Sequence, residues 1–198
     1  MKRVILQAAL LAGLGCAGAL AQNSDLGILL GVSVRTSAIV SPGRIESSVG
    51  ASVQFNYAVQ LRESAAGRVY LELPVLIAAD SRSALTTSIR SSHTTTVFFT
   101  PGVRFHHTIH PRVALYGAVG GGLASAAGNF SIVGAGFVSD RIDRTTSAAV
   151  GFGGGLDFRL TRLLSLRAEG RDFVTKAGLR GERGRNHPFF TVGIGFHF

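Results

Sequence analysis

Apolar and polar residues alternate one for one along much of this chain, which is the pattern of β-strands. The clearest interior case is residues 49–61, where every odd-numbered position is apolar and every even-numbered position is small or polar. A run of this length with a period of two cannot be an amphipathic helix, whose apolar positions recur every three or four residues. The pattern predicts a strand with one apolar and one polar face.

Similar alternation marks seven further segments. In chain order the eight predicted strands are residues 25–34, 49–61, 69–77, 97–106, 113–123, 148–159, 164–171 and 190–198. The connections between them alternate between long and short, beginning and ending with a long one. Short turns on the side of both termini and long loops on the other side are typical of transmembrane barrels. The sequence therefore predicts an all-β fold, an eight-stranded antiparallel up-and-down transmembrane β-barrel.

The C-terminal segment alternates with little exception and ends on an aromatic residue. One face carries five apolar side chains: Phe190, Val192, Ile194, Phe196 and Phe198. The segment has the roughly 9–11 residues that a tilted strand needs to cross a bilayer. A half-buried edge strand of a soluble sheet would show the same alternation. Within a barrel, we expect this strand to face lipid and to close the barrel by pairing with residues 25–34.

The N-terminus has the three parts of a secretory signal. Lys2 and Arg3 form a basic start, residues 4–17 are almost wholly apolar, and residues 19–21 read Ala-Leu-Ala. This order predicts a signal peptide, residues 1–21, that is cleaved after Ala21. An uncleaved membrane anchor is the alternative.

Residues 22–198 then form a single predicted domain. They contain no cysteine, because Cys16 is the only one in the chain, so a disulfide scaffold is excluded; lipid modification of Cys16 is a further alternative. No downstream run is long enough for a spanning helix, which leaves a closed barrel as the way to cross a membrane. Without Lys2 and Arg3, the formal net charge of +9 falls to about +7, which suggests an acidic partner surface. Export argues against nucleic acid.

Three stretches resemble a known family. Residues 153–169 look like the penultimate hairpin of the small outer-membrane β-barrel family typified by the OmpA membrane domain and OmpX. Residues 101–105 and 193–198 are similar to its fourth and eighth strands. The resemblance implies a monomer in outer-membrane lipid. It also implies insertion by the barrel assembly machinery, with the C-terminal strand and its Phe198 as the assembly signal.

Two features depart from that family. The chain has no Trp, so the periplasmic aromatic girdle would depend on Tyr57, Phe105 and Phe158 on the lipid face. Pro74 and Pro101 lie inside predicted strands, where each removes a backbone donor, so we expect β-bulges there.

Charged residues fall at inward positions of four predicted strands. They are Glu72, Arg104, Asp157, Arg159, Arg167, Glu169 and Arg171. The interior of an eight-stranded barrel is just wide enough for side chains, and buried charges are tolerated only when paired or wet. We interpret the set as an ion-paired network that fills the lumen. A small-solute or ion channel is the alternative.

The sequence offers only weak candidates for a metal site or a catalytic site. His106, His107 and His110 fall at a strand end and a turn with no nearby carboxylate, so we expect no metal site. Ser92 and His93 are adjacent in a loop, but no acid is placed to orient them. We therefore expect no catalytic residues and no cofactor, and a lipid-modifying outer-membrane enzyme is the second alternative.

The predicted outer loops are basic. The fourth loop carries Arg180, Arg183 and Arg185. They form either a solvated rim or a contact with phosphates of lipopolysaccharide or another acidic polymer, which arginine suits through bidentate bonding. The sequence favours a non-enzymatic outer-membrane barrel protein with a structural role or a role in interactions through its surface loops.

Overall fold

The computed structural model describes residues 23–36, 47–85, 89–134, 137–176, 179 and 186–198. The described chain is almost entirely strand. The strands are β1 Ser24–Thr36, β2 Ser47–Ser64, β3 Gly67–Leu85, β4 Ile89–Phe99, β5 Gly102–His110, β6 Val113–Gly134, β7 Phe137–Arg159, β8 Leu164–Thr175 and β9 Asn186–His197. None of the described residues forms a helix that is long and apolar enough to cross a membrane.

The sheet is antiparallel throughout and closes on itself. The first strand, β1, pairs with β2 on one side and with β9 on the other, from Asp25↔His197 to Ser33↔Phe189. Strands β4 and β5 occupy successive parts of one position in the wall, between β3 and β6. The barrel therefore has eight wall positions, and both the predicted fold class and the predicted closing pair of strands are confirmed.

The fourth wall strand is interrupted at Thr100 and Pro101. The predicted bulges at Pro74 and Pro101 are wrong, because the register is the same on both sides of the interruption: β3 pairs as Val75↔Phe99 before it and Glu72↔Gly102 after it. Proline lacks the N–H that a ladder needs but inserts no extra residue. The register shifts instead at Gln60/Arg62 and at Thr108/His110, beside short turns.

Three long connections are shorter than predicted. Strands β3 and β4 continue into the predicted loop 79–93, and β6 and β7 pair as far as Gly134↔Phe137, through most of predicted loop 125–144. In the last loop, β9 already begins at Asn186. Polar strands outside the apolar belt carry little hydrophobic alternation, so the period-two pattern did not include them. The run from Phe130 to Val138 had nevertheless predicted a hairpin extended above the membrane, as the β6–β7 pairing shows. The first predicted loop, residues 35–45, lies almost wholly outside the described residues.

The period-two pattern sorted inward from outward side chains. The five apolar residues of the terminal strand are 39 to 60% exposed on the outer surface. Leu29, which breaks the alternation of β1, is fully buried inside the barrel. Phe105 and Phe158 are exposed on the outer face near short turns, whereas Tyr57 is half-buried with its hydroxyl 3.4 Å from Ser24 Oγ. Their role as a girdle stays a prediction.

One short turn carries an ion pair outside the membrane-spanning part of the barrel. Arg68 Nε donates to Glu63 Oε1 at 2.9 Å between β2 and β3. This hydrogen bond, reinforced by the charge of Arg68, lowers the pKa of the Glu63 carboxyl.

Candidate functional site

Arg167 lies at the centre of the charged interior. Its guanidinium binds Asp25 of β1 through two bonds, Nη1 to Oδ1 at 2.9 Å and Nη2 to Oδ2 at 2.7 Å. The same Nη2 lies 2.6 Å from Asp157 Oδ2 of β7. A Cβ at Gly27 would lie 3.1 Å from Arg167 Nη1, so the missing side chain makes room for the guanidinium. One arginine of β8 thus ties together strands β7 and β1.

A second cluster surrounds Glu169. Arg171 Nε lies 2.6 Å from Glu169 Oε1, and Arg171 Nη2 lies 3.0 Å from Glu72 Oε2. Three neutral donors complete the carboxylate of Glu169: Gln54 at 2.8 Å, Asn56 at 3.3 Å and the Tyr116 hydroxyl at 2.7 Å. Donors from opposite walls therefore converge on one carboxylate in the lumen.

Arg104 connects the two clusters. Its Nη2 lies 3.2 Å from Asp25 Oδ2, and its Nη1 lies 3.8 Å from Glu72 Oε1. The guanidinium carbon sits 5.1 Å from the ring centre of Tyr70 and 5.4 Å from that of Tyr116, within the range of cation–π attraction. Arg104 is fully buried, so its charge is balanced by protein groups.

The end of the network near the short turns carries two histidines. His197 Nδ1 lies 3.2 Å from Asp25 Oδ2, and His197 Nε2 lies 3.0 Å from Ser165 Oγ. Ser165 Oγ in turn donates to Asp157 Oδ1 at 2.7 Å. His106 Nε2 lies 3.5 Å from Asp157 Oδ2. The adjoining cleft, of about 10 Å³, has room for about one water molecule.

An apolar layer lies next to the charged clusters, on the side of the long connections. Phe98 of β4 stacks on Phe173 of β8, with ring centres 4.5 Å apart, and both contact Phe189 of β9 edge-on at 5.6 and 5.8 Å. Buried aliphatic side chains complete the layer: Leu76, Ala78, Ala124, Ala126, Ala149 and Leu179. Since β4 lies across the barrel from β8 and β9, the rings meet across the lumen.

Six of the seven predicted lumen residues fall into these two clusters. The seventh, Arg159, is half-buried at the end of β7, lines the small cleft, and makes no ion pair with another described residue. It lies at the mouth, where water can solvate its charge. The network also contains residues that were not predicted from the sequence: Asp25, Gln54, Asn56, Tyr116, Ser165 and His197. Asp25 lies on the same inward face of the strand as Gly27 and Ser33. The alternation in the sequence could therefore have placed Asp25 in the lumen.

A metal is not needed to explain these carboxylates. Ligand atoms of Asp25, Asp157 and His197 lie within 4.8 Å of one another, but Arg167 Nη2 already contacts both carboxylates. His107 and His110 are exposed at the turn, and His110 lines the small cleft next to Asp157 and His197 without belonging to this group of ligand atoms. The predicted loop residues Arg180, Arg183 and Arg185 lie outside the described residues.

Comparison with solved structures identifies similar barrels. Ail, the attachment invasion locus protein of Yersinia pestis, solved with the heparin analogue sucrose octasulfate, gives a TM-score of 0.54 at 16% identity over 89% of this chain and 98% of Ail. Neisserial surface protein A gives 0.53 at 12% identity over 89% and 97%. The outer-membrane protease OmpT of Escherichia coli gives 0.54 at 9% identity over 90% and 97%. At these identities the likeness establishes the fold alone.

No curated protein sequence matches the chain. A protein-family comparison, however, matches residues 7–198 to the family described as outer membrane protein beta-barrel domain. The match covers nearly the whole sequence. The structure agrees with it, because the described residues form a closed antiparallel barrel that is apolar outside and charged within. The chain belongs to the outer membrane protein β-barrel domain family, and its place is the outer membrane.

Proposed function

We propose that the protein is a non-enzymatic outer-membrane barrel that acts at the cell surface through its long loops, with the barrel as a rigid support. The observation that carries the proposal is the filled lumen, in which arginine–carboxylate clusters and three phenylalanines, two stacked and one edge-on, occupy the interior. Such an interior holds the strands together, and among the described residues these side chains fill the middle of the lumen. In this proposal residues 1–21 are removed as a signal peptide, and the mature chain is a monomer.

The strands that continue beyond the closed barrel support a surface role. Strand β3 pairs with β4 up to Leu85↔Ile89, β4 pairs with β6 up to Ile89↔Val133, and β6 pairs with β7 up to Gly134↔Phe137. The β7–β8 ladder begins only at Ala149↔Thr175. Among the described residues, no strand therefore pairs with residues 137–144 of β7 on that side, and they form an edge of the described sheet. Exposed strand edges offer backbone groups to an added strand.

The basic loops suggest which kind of ligand this surface binds. Arg144 and Lys176 are exposed beside the extended sheet, and the fourth loop contributes Arg180, Arg183 and Arg185. Guanidinium groups bind phosphate and sulfate oxygens through paired hydrogen bonds. We therefore propose polyanions as ligands, with lipopolysaccharide as the neighbour in the membrane. Ail, which shares the fold, was solved with a heparin analogue, and this makes heparin a reasonable probe.

Replacing Arg180, Arg183 and Arg185 together by Gln should weaken binding of heparin and of lipopolysaccharide by about tenfold or more, since charge-assisted hydrogen bonds contribute about 1.5–3 kcal/mol each. Binding to immobilised heparin and to lipopolysaccharide micelles would be measured with purified, folded protein at low and at physiological salt.

The matched control removes three exposed arginines from the opposite rim, Arg62, Arg112 and Arg162. This control variant loses three positive charges, as the loop variant does. It should keep its affinity for heparin and lipopolysaccharide if the outer loops form the binding site. Equal losses in both variants would mean a non-specific charge effect, and no loss in either would reject the polyanion proposal.

The C-terminal strand is proposed to guide insertion by the barrel assembly machinery. Deletion of Phe198 should leave export intact but reduce the folded pool in the outer membrane several-fold, because the lipid-facing terminal aromatic is lost. Phe198→Tyr, which keeps an aromatic ring at the terminus, serves as the control. Heat-modifiable gel mobility of outer-membrane fractions would measure the folded pool; normal insertion of the deletion variant would contradict the assigned role.

A further inference from the structure

The small cleft at the mouth of the barrel, on the side of the short turns, is lined mainly by nitrogen-bearing side chains. It lies between β5, β6, β7 and β9, and its lining contains three histidines and two arginines against one carboxylate, that of Asp157. Asp157 is already compensated, because its Oδ2 lies 2.6 Å from Arg167 Nη2 and 3.2 Å from Arg167 Nε. Arginine charge and N–H donors therefore dominate the cleft, which favours an anion there.

His106 provides a second, independent sign of a ligand. Its side chain lines the cleft and is only 5% exposed, yet neither ring nitrogen has a hydrogen bond to a described residue. Its Nε2 lies 3.5 Å from Asp157 Oδ2, which is longer than an ordinary N–H···O hydrogen bond. An imidazole carries at least one N–H in every protonation state, and a buried donor without an acceptor is costly. An acceptor atom in the cleft would remove that cost.

Arg159 brings a free guanidinium to the same cleft. It is the last residue of β7, is half-buried, and forms no ion pair with a described residue. Its backbone is fixed beside the turn, because Arg159 N donates to Arg112 O at 2.8 Å. A guanidinium presents paired N–H donors that match two oxygens of a phosphate group. The side chain of Arg112 is exposed at the turn and is assigned no contact.

We propose that this cleft binds a phosphate group, with one oxygen inside it beside His106 and with Arg159 holding two further oxygens at the mouth. The cleft of about 10 Å³ has room for about one water molecule, so a single oxygen fits inside while the phosphorus atom stays outside. Two sources offer this chemistry at that side of the membrane: inorganic phosphate and the phosphodiester of a phospholipid headgroup. The site is separate from the outer loops and does not depend on what they bind.

The test uses the full mature protein, labelled with nitrogen-15 in its histidines, in dodecyl maltoside micelles, which contain no phosphate. Inorganic phosphate is titrated at neutral pH, and potassium chloride at equal ionic strength serves as the reference. Phosphate should shift the ring signals of His106 in a saturable way, whereas chloride should leave them in place. The variant His106→Gln assigns the signals, and His107→Gln, which changes a histidine exposed at the turn, should bind phosphate as the wild type does.

Arg159→Gln should lower the affinity for inorganic phosphate by about tenfold or more, because the charge-assisted hydrogen bonds to two oxygens are lost. Arg162→Gln is the matched control: Arg162 is exposed in the same turn region but does not line the cleft, so it should keep the wild-type affinity. Calorimetric titration of both variants and of the wild type measures the difference. This comparison still decides if His106→Gln fails to fold.

Phospholipid nanodiscs distinguish the two sources. If headgroups occupy the cleft, the His106 signals are already shifted in nanodiscs and added phosphate changes nothing further. If free phosphate is the ligand, the shift appears only when phosphate is added. Either result supports a phosphate site. Unshifted His106 signals under both conditions, an equal response to chloride, or equal phosphate affinities of Arg159→Gln and the wild type would overturn the inference.

Discussion

Replacing Arg167 by Met should destabilise the barrel by about 3–5 kcal/mol, the cost of removing one partner from a buried ion cluster. The substitution leaves Asp25 and Asp157 facing each other without the guanidinium nitrogen that now lies 2.7 and 2.6 Å from their oxygens. Because folded proteins are stable by only about 5–15 kcal/mol, a large part of the molecules should fail to fold. Urea unfolding in micelles, followed by heat-modifiable mobility, measures the loss.

Arg159→Met is the matched control, since Arg159 belongs to the adjacent strand β7 but is half-buried at the mouth and makes no ion pair with a described residue. It should change stability by about 0.5 kcal/mol or less. A triple variant, Arg167→Met with Asp25→Asn and Asp157→Asn, should recover part of the loss because no charge is left unpaired. Equal stability of the two single variants would contradict the central place given to Arg167.

Gly120→Ala should be the second severe substitution. A Cβ at Gly120 would meet the carbonyl oxygen of Thr100 and lie 2.6 Å from that of Pro101, at the interruption of the fourth wall strand. These are backbone atoms, which cannot rotate away as a flexible side chain can. Overpacking costs about 1–3 kcal/mol and occasionally more. We expect a clear drop in the urea midpoint and a smaller heat-modifiable fraction.

The neighbouring Gly121 provides a control with the same chemistry on the opposite face. A Cβ at Gly121 would meet no atom within 4 Å, and alanine restricts the unfolded chain, so Gly121→Ala should be neutral or stabilising by up to about 1 kcal/mol. If Gly120→Ala were equally harmless, the close contact of β6 with the interrupted strand would be wrong.

The sequence predicted the barrel because lipid and lumen impose opposite chemistry on alternate residues. That rule placed Arg104, Arg167 and Glu169 inside without knowledge of any contact. It failed within the predicted loop 79–93, where β3 continues to Leu85 and β4 begins at Ile89 in a mostly polar sequence. It also treated the two prolines as bulges, because sequence alone does not show whether a residue is inserted or a hydrogen bond is simply lost.

The alternation of apolar and polar residues does not predict which side chains touch across the barrel. Phe98, Phe173 and Phe189 are far apart in sequence and meet only because their strands face one another across a closed wall. Likewise, inward parity places Asp25 in the lumen but does not name Arg167 as its partner. The pairing depends on strand tilt and register, which set the height of each side chain.

The central claim is that the barrel interior is filled and that the protein works at its outer surface. Conductance of single molecules in a planar bilayer tests it most directly, with insertion verified by protease protection and heat-modifiable mobility. We expect a silent membrane for the wild type, because ion clusters and the packed rings of Phe98, Phe173 and Phe189 occupy the lumen. Discrete conductance steps from correctly folded wild-type protein, removed when the protein is unfolded, would contradict it.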